Sequence, residues 1–264
     1  MPLHISSKQN PKIKQVLNLQ KHTERRKTGL FTCEGRKEQE KLLASGYHPE
    51  SVFYCPEILS EQAVKSFYGQ ALPDNFYSVS GDVYEKIAYR GQSGGILCIA
   101  SGREHRLPPA PREKHPIYLV IEGIEKPGNI GALFRTADAA GIDGIILADE
   151  RTDLYNPNAI RASIGCIFTV PAYIAGNAES LNWLKQHNIQ VFTTWLEASH
   201  PYHQVDYTEA CAIVLGTEAD GISPAWVKAS DKNIIIPMRG KADSLNVANS
   251  GAILLYEAMR QRGF

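Results

Sequence analysis

Ser244, Leu245 and Asn246 place two short polar side chains directly ahead of an apolar-periodic stretch. One of them, Ser244 or Asn246, is enough to cap a helix; this loop supplies two. The loop starts where a β-branched run, Ile234 to Ile236, stops at a proline. Two further loops share that placement after an apolar run. In "CAIVLGTEADGISPAWVKA", Glu218 lies between Gly216 and Gly221, and Ser223-Pro224 opens the next helix as N-cap and first helical residue. The two glycines either serve backbone geometry or let a ligand approach main-chain N–H groups closely. In "IEGIEKPGNIGALFRTADAAG", Asn129 can cap a helix whose buried stripe is Ile130, Leu133, Phe134 and Ala137. Arg135 lies beside that stripe, either as an exposed partner of Asp138 or as a functional guanidinium, and Gly141 fits the helix end.

Other site chemistries are missing. There is no G-x-x-x-x-G-K-[ST], no H-E-x-x-H, and no G-x-G-x-x-G after a strand, so phosphate-loop, zinc-protease and dinucleotide-binding readings lack their motifs. The eight histidines are scattered and no metal is expected. Cys33, Cys55, Cys98, Cys166 and Cys211 are isolated, without a C-x-x-C, and read as small, partly buried thiols in a reducing compartment.

The elements that must position the three loops are legible. "IYLVIEG", "GIILAD", "IQVFTTW" and "CAIVLG" are continuous apolar strands, and "NIGALFRTADAAG", "AESLNWLKQH" and "PAWVKA" are helical. Such alternation predicts a parallel sheet covered on both faces, with ligands at the carboxyl ends of its strands. Val247, Gly251, Leu254, Leu255 and Ala258 mark the sheet-facing side of the last helix. Upstream, "NPKIKQVLNLQ" and "RKEQEKLLASG" read as helices, and "SVFYCP" and "GGILCIAS" as strands. The proline-rich "RLPPAPREKHP" between the halves reads as a linker. The expected organisation is a small N-terminal α/β domain over 1–105, a linker over 106–116 and a larger α/β domain over 117–264.

The chain has 264 residues, 43% apolar, with 28 basic and 28 acidic side chains. The balance excludes a polycation that coats nucleic acid by net charge. The N-terminal end is nonetheless basic: Lys8 to Lys41 holds ten Lys/Arg against four Glu, which suits a polyanion partner or a solvated helix face. No stretch is long and apolar enough to span a membrane, and no signal-peptide core follows Met1. A cytoplasmic protein is expected.

"NIGALFRTADAAG", "LGTEADGI" and "IPMRGKADSLNVANSGAILLYE" occur in that order and resemble the three signature motifs of the SpoU/TrmH family of RNA ribose 2′-O-methyltransferases. "YNPNAIRASIGCIFTVP" is similar to the family's segment between the first two motifs. "SSKQNPKIKQVLNLQKHTERRKTGLFTCEG" resembles the start of its ribosomal-protein-like substrate-binding domain.

The resemblance implies a C-terminal SPOUT domain, a parallel sheet with a deep trefoil knot, which departs from the usual absence of knots. It implies S-adenosylmethionine as cofactor, held by main-chain groups around Gly216, Ile236, Met238 and Leu245, with Thr194 at another strand end. Asn129, Arg135, Glu218, Ser244 and Asn246 become the polar active-site set, and the working unit a homodimer. The implied substrate is RNA, ribosomal in preference to transfer RNA. The alternatives are a transfer RNA methyltransferase, a non-catalytic RNA-binding protein of the same fold, and a nucleotide-dependent oxidoreductase on an ordinary doubly wound sheet.

Overall fold

The computed structural model describes residues 2–89, 94–197, 199–217 and 221–264. It forms two compact units, Met1–Glu104 with Asp153–Thr169, and His105–Thr152 with Val170–Phe264. The first 104 residues hold β1 (Leu3–Ile5), α1 (Pro11–Asn18), α2 (His22–Thr28), β2 (Leu30–Glu34), α3 (Arg36–Ala44), β3 (Pro49–Tyr54), α4 (Glu61–Tyr68), β4 (Phe76–Val79), α5 (Gly81–Ile87) and β5 (Ile96–Ser101). Then come β6 (Ile117–Glu122), α6 (Pro127–Ala140) and β7 (Gly144–Ala148). The segment that returns to the first unit carries α7 (Pro157–Ala162) and α8 (Cys166–Thr169). The rest is β8 (Ala172–Ala175), α9 (Asn177–Gln186), β9 (Gln190–Thr194), β10 (His200–Pro201), β11 (Cys211–Leu215), α10 (Pro224–Ala229), β12 (Lys232–Ile235) and α11 (Val247–Arg262).

In the first unit a mixed sheet runs β1-β4-β3-β5-β2. Asn10 caps α1 by accepting from Lys12 N–H, with Pro11 as the first helical residue. Ile13 and Val16 of α1 and Val83, Tyr84 and Ile87 of α5 bury one face of that sheet. Around Phe31 of β2, residues 153–169 complete a second cluster. Tyr155 stacks on Phe31 at 4.3 Å, and Phe168 meets Tyr47 edge-on at 5.2 Å. Arg25 is buried and forks onto Asp153, with Nε to Oδ1 at 3.1 Å and Nη2 to Oδ2 at 2.6 Å, while Nη1 donates to Leu19 O. The basic run is therefore not all available to a polyanion: Arg25 is spent on Asp153, and Lys41 donates to Ile164 O.

In the second unit seven strands, parallel at every pairing, run β10-β12-β9-β11-β6-β7-β8. Trp183 and Leu184 of α9 and Trp226 of α10 cover one face, over Tyr118, Val120, Val191 and Val214. On the other, α6 and α11 pack on each other and α11 on β11. The approach is close at Gly251, where a Cβ would lie 2.4 Å from Leu133 Cδ2 and 3.1 Å from Leu215 Cδ1. The stripes expected on α6 and α11 are the buried ones. At the amino ends of strands, aspartates hold the backbone: Ile117 N–H donates to half-buried Asp143 and Val191 N–H to exposed Asp231, both at 2.7 Å.

Three local expectations need correction. Asn129 does not cap α6; the helix starts earlier, at Pro127, because proline's fixed φ suits the first turn. The Ser223 side chain makes no capping bond to α10, although Ser223 occupies the cap position. The stretch 106–116, expected as a linker between the halves, is part of one of them. It belongs to the second unit, where Trp183 Nε1 donates to Pro108 O at 2.6 Å. Outside a ladder, its Pro108 carbonyl is satisfied by that side chain, while Pro116 O accepts from Cys211 N–H.

Two outcomes are expected. Arg25→Ala leaves Asp153 without its fork and should lower unfolding free energy by about 3 kcal/mol in urea melts. All five thiols are buried, and burial pushes the Cys211 thiol up to about 11. An unfolded thiol deprotonates near pH ~8.5. Between those values the unfolded chain holds fewer protons, so this thiol's contribution lowers stability as pH rises. Ellman's reagent should leave the native protein nearly unlabelled at pH 8 and label every cysteine after unfolding.

Candidate active site

The carboxyl ends of β9, β11 and β12 open into one cavity of about 430 Å³, a volume typical of small-molecule sites. Thr194 and Trp195 line it from β9, Leu215, Gly216 and Thr217 from β11, and Ile234, Ile235 and Ile236 from β12. Met238, Ser244, Leu245 and Val247 come from the loop and start of α11. Thr194, Gly216, Ile236, Met238, Ser244 and Leu245, which sequence reasoning placed in two of its loops and at another strand end, thus border a single space. The Thr194 hydroxyl is occupied, since it donates to Val214 O at 2.9 Å.

One wall is a backbone fold-over. Thr217 N–H donates to Gly221 O at 2.9 Å, and Gly221 takes φ +69°. A Cβ on Gly216 would sit 2.2 Å from Gly221 O and 2.4 Å from Ile222 Cγ1. Glycine at 216 is therefore a packing requirement. Glu218 lies outside the described residues. Ile222 turns into the core beside Trp226.

Beneath that wall lies a polar network that sequence reasoning missed. Glu122, at the end of β6, is buried. Its Oε1 accepts from Asn177 Nδ2 at 2.6 Å and its Oε2 from Ser223 N–H at 2.8 Å. Asn177 Oδ1 accepts from Trp226 Nε1 at 2.7 Å. A lone acid ending the apolar run "IYLVIE" was the available signal, because a buried carboxylate needs donors.

The remaining polar candidates divide. Asn246 caps α11, its Oδ1 accepting from Ala248 N–H at 3.0 Å, and its Nδ2 donates to Asn129 Oδ1 at 3.2 Å. Those two candidates are therefore in direct contact, beside Leu245 of the cavity. Arg135 is exposed on α6, does not line the cavity, and has no ion pair among the described residues. Ser244 is exposed at the cavity rim. Among the described residues no group of three His, Cys, Asp or Glu could hold a metal, and no helix is long and apolar enough to cross a membrane.

Residues 116–256 match the SpoU rRNA Methylase family, more than half of the chain. The chain belongs to that family. Residues 10–98 of this SpoU methylase match the MRM3-like substrate binding domain. The chain is 30% identical over 258 residues to the 23S rRNA (guanosine(2553)-2′-O)-methyltransferase RlmP of Bacillus subtilis (strain 168), covering 96% of this chain and 97% of that one. Among solved structures it resembles an RNA 2′-O ribose methyltransferase, with TM-score 0.86 and 35% identity over 99% of this chain and 100% of the other. It also resembles the AdoMet-bound rRNA methyltransferase of Sinorhizobium meliloti, with TM-score 0.88 and 29% identity over 97% of each chain.

Gly216→Ala should prise Gly221 from Thr217 and cost about 1–3 kcal/mol, the usual penalty of overpacking. Hydrogen exchange reads this locally. The Thr217 amide should exchange faster in the variant while β6 amides stay protected; unchanged Thr217 protection would contradict the fold-over.

Proposed function

We propose that this SpoU methylase transfers a methyl group from S-adenosylmethionine to a ribose 2′-hydroxyl of ribosomal RNA. The observation that carries the reading is the single cavity at the ends of β9, β11 and β12, closed by the loop that leads into α11. The relatives' activities support it: a 23S rRNA 2′-O-methyltransferase aligns over nearly all of both chains, and the Sinorhizobium meliloti relative is AdoMet-bound.

The residues present fit that cofactor. Ile236, Met238 and Leu245 give the cavity apolar walls suited to a flat purine, and the main chain that lines it from Gly216 and Thr217 offers polar groups for the purine's edge. When bound, S-adenosylmethionine supplies an activated methyl on a sulfonium sulfur. The chain's own task is to align the ribose oxygen and stabilise the charge it develops. Arg135 is the cation for this. A guanidinium keeps its proton, with a pKa above about 12, so phosphate clamping and stabilisation of the developing alkoxide suit it better than base chemistry. Asn129 and Asn246, joined to each other, and Ser244 at the rim offer further polar contacts.

The first unit is the substrate guide in this reading. Lys14, Lys21, Arg26, Lys27, Arg36 and Lys37 are exposed and suit phosphate contacts that position RNA without reading its sequence. A single-stranded or looped target follows, because a ribose in a duplex is harder to bring into a pocket. A homodimer and a cytoplasmic location belong to the same proposal. Exposed Tyr256 and Phe264, 6.2 Å apart at the end of α11, support a self-association face. The deep knot belongs to it too. Its support is the path of the chain, which leaves β12, on the far side of β9, and returns to set α11 against β11 and α6.

Incubating the protein with ribosomal RNA and methyl-labelled S-adenosylmethionine should place label on a ribose 2′-oxygen. Arg135→Ala should keep cofactor affinity by calorimetry and lower methylation by about 10²–10³-fold, the usual loss for one transition-state donor. Near-normal turnover would remove Arg135 from the site.

A further inference from the structure

Glu122 pairs its backbone with β7, but its side chain reaches beyond the sheet. It ends β6, whose other five residues are apolar and buried, and it is itself only 7% exposed. A carboxyl group in such surroundings is costly unless its oxygens are supplied with donors. Two elements supply them. Asn177, the first residue of α9, donates its side-chain N–H, and Ser223, the residue ahead of α10, donates its backbone N–H. Asn177 in turn accepts the indole N–H of Trp226, which is fully buried in α10.

The position of Ser223 gives this arrangement its consequence. Two residues before it, Gly221 folds over Gly216, and Ile222 lies between them; all three line the cavity. The wall is thus held at one end by the Thr217–Gly221 bond and at the other by Glu122 on Ser223 N–H. Ser223 cannot fix its own position through its hydroxyl. Its Oγ is buried without a hydrogen-bond partner among the described residues.

We propose that Glu122 is a positioning residue for cofactor binding: through Ser223 N–H, and through Asn177 and Trp226, it fixes the β11–α10 wall against which the methyl donor packs. This rests on the reading of the cavity as the S-adenosylmethionine site. The donor and acceptor pattern is strict. Glu122 accepts twice; Asn177 donates once and accepts once. In Glu122→Gln the new amide must face either the Ser223 N–H or the Asn177 amide. Turning Asn177 to receive it then sets the Asn177 NH₂ against Trp226 N–H. Every orientation leaves two donors opposed. In Asn177→Asp, two carboxylates face each other instead. The double variant Glu122→Gln/Asn177→Asp exchanges the two groups and satisfies all of them. The introduced glutamine would accept from Ser223 N–H and donate to the introduced aspartate, which would also accept from Trp226.

The experiment is titration calorimetry of S-adenosylmethionine on the full chain, well below each variant's melting temperature, for wild type, both single variants and the exchange. Each single variant should bind about tenfold more weakly, as expected for one lost charge-assisted hydrogen bond, and the exchange should restore wild-type affinity. A merely structural role would lower the melting temperatures of the single variants while leaving affinity in the folded protein unchanged. Wild-type affinity in both folded single variants therefore overturns the proposal, as does an exchange variant that folds and still binds weakly. If a single variant does not fold, the exchange decides alone: wild-type folding and affinity support the proposal, and failure of either overturns it. A wild-type protein that does not bind S-adenosylmethionine at all overturns the cavity assignment and this inference with it, an outcome separable from the others because it needs no variant.

Discussion

At Gly216 main chain passes main chain with no room for a methyl group. Everything in the candidate site depends on that approach. It allows β11 to end in a fold-over instead of an open loop, which turns Ile222 down into the core and brings Ser223 N–H within reach of Glu122. A second close approach, at Gly251, performs the matching task on the opposite face. There α11 settles against Leu133 and Leu215, and the loop ahead of it closes the cavity. Side chains choose what binds, but these two positions decide that there is a cavity to bind in.

The two ends of the parallel sheet use acids differently. At the amino ends, Asp143 and Asp231 each receive a strand N–H and serve the fold. Burial raises the Asp143 carboxyl above its ordinary range, while the Ile117 N–H opposes that shift. At the carboxyl end, Glu122 receives donors from two different connections, so its placement is felt in the loops and not only in the strand. The same chemical group is a strand anchor in one layer and a loop anchor in the other. Local sequence does not distinguish them, because the donors lie between 26 and 101 residues away.

Much of the second unit was legible in the sequence for simple physical reasons. The continuous apolar runs are buried strands, and the stripes on α6 and α11 are the buried stripes. Asn246 caps α11, and Gly141 takes the left-handed conformation that ends α6. The shorter strands were not legible. Of β12 only the β-branched end at Ile234 was legible; His200–Pro201 is too brief to show a period, and β8 has four residues. In the first unit, β2 reads "LFTCE", and its mixed character hides an edge strand whose middle three residues are buried. The site was legible as three loops but not as one wall. Asn129 was taken for a cap because its residue type suits one, whereas its observed partner, Asn246, is 117 positions away. Arg25 looked like one more cation in a basic run until Asp153 accounted for it.

That pairing bears on ancestry. Phe31 sits with no exposure in a sheet built from the first hundred residues, yet the ring stacked on it, Tyr155, arrives from the middle of the chain. A gene fragment ending at residue 104 would encode the sheet but leave Phe31 and Tyr47 without their aromatic cover and Arg25 without its counter-charge. Shuffling the amino-terminal half onto another catalytic partner would therefore succeed only where the recipient already carries an equivalent of residues 153–169. The two halves are in this sense inherited together, bound by seventeen residues that belong to one by position and to the other by packing.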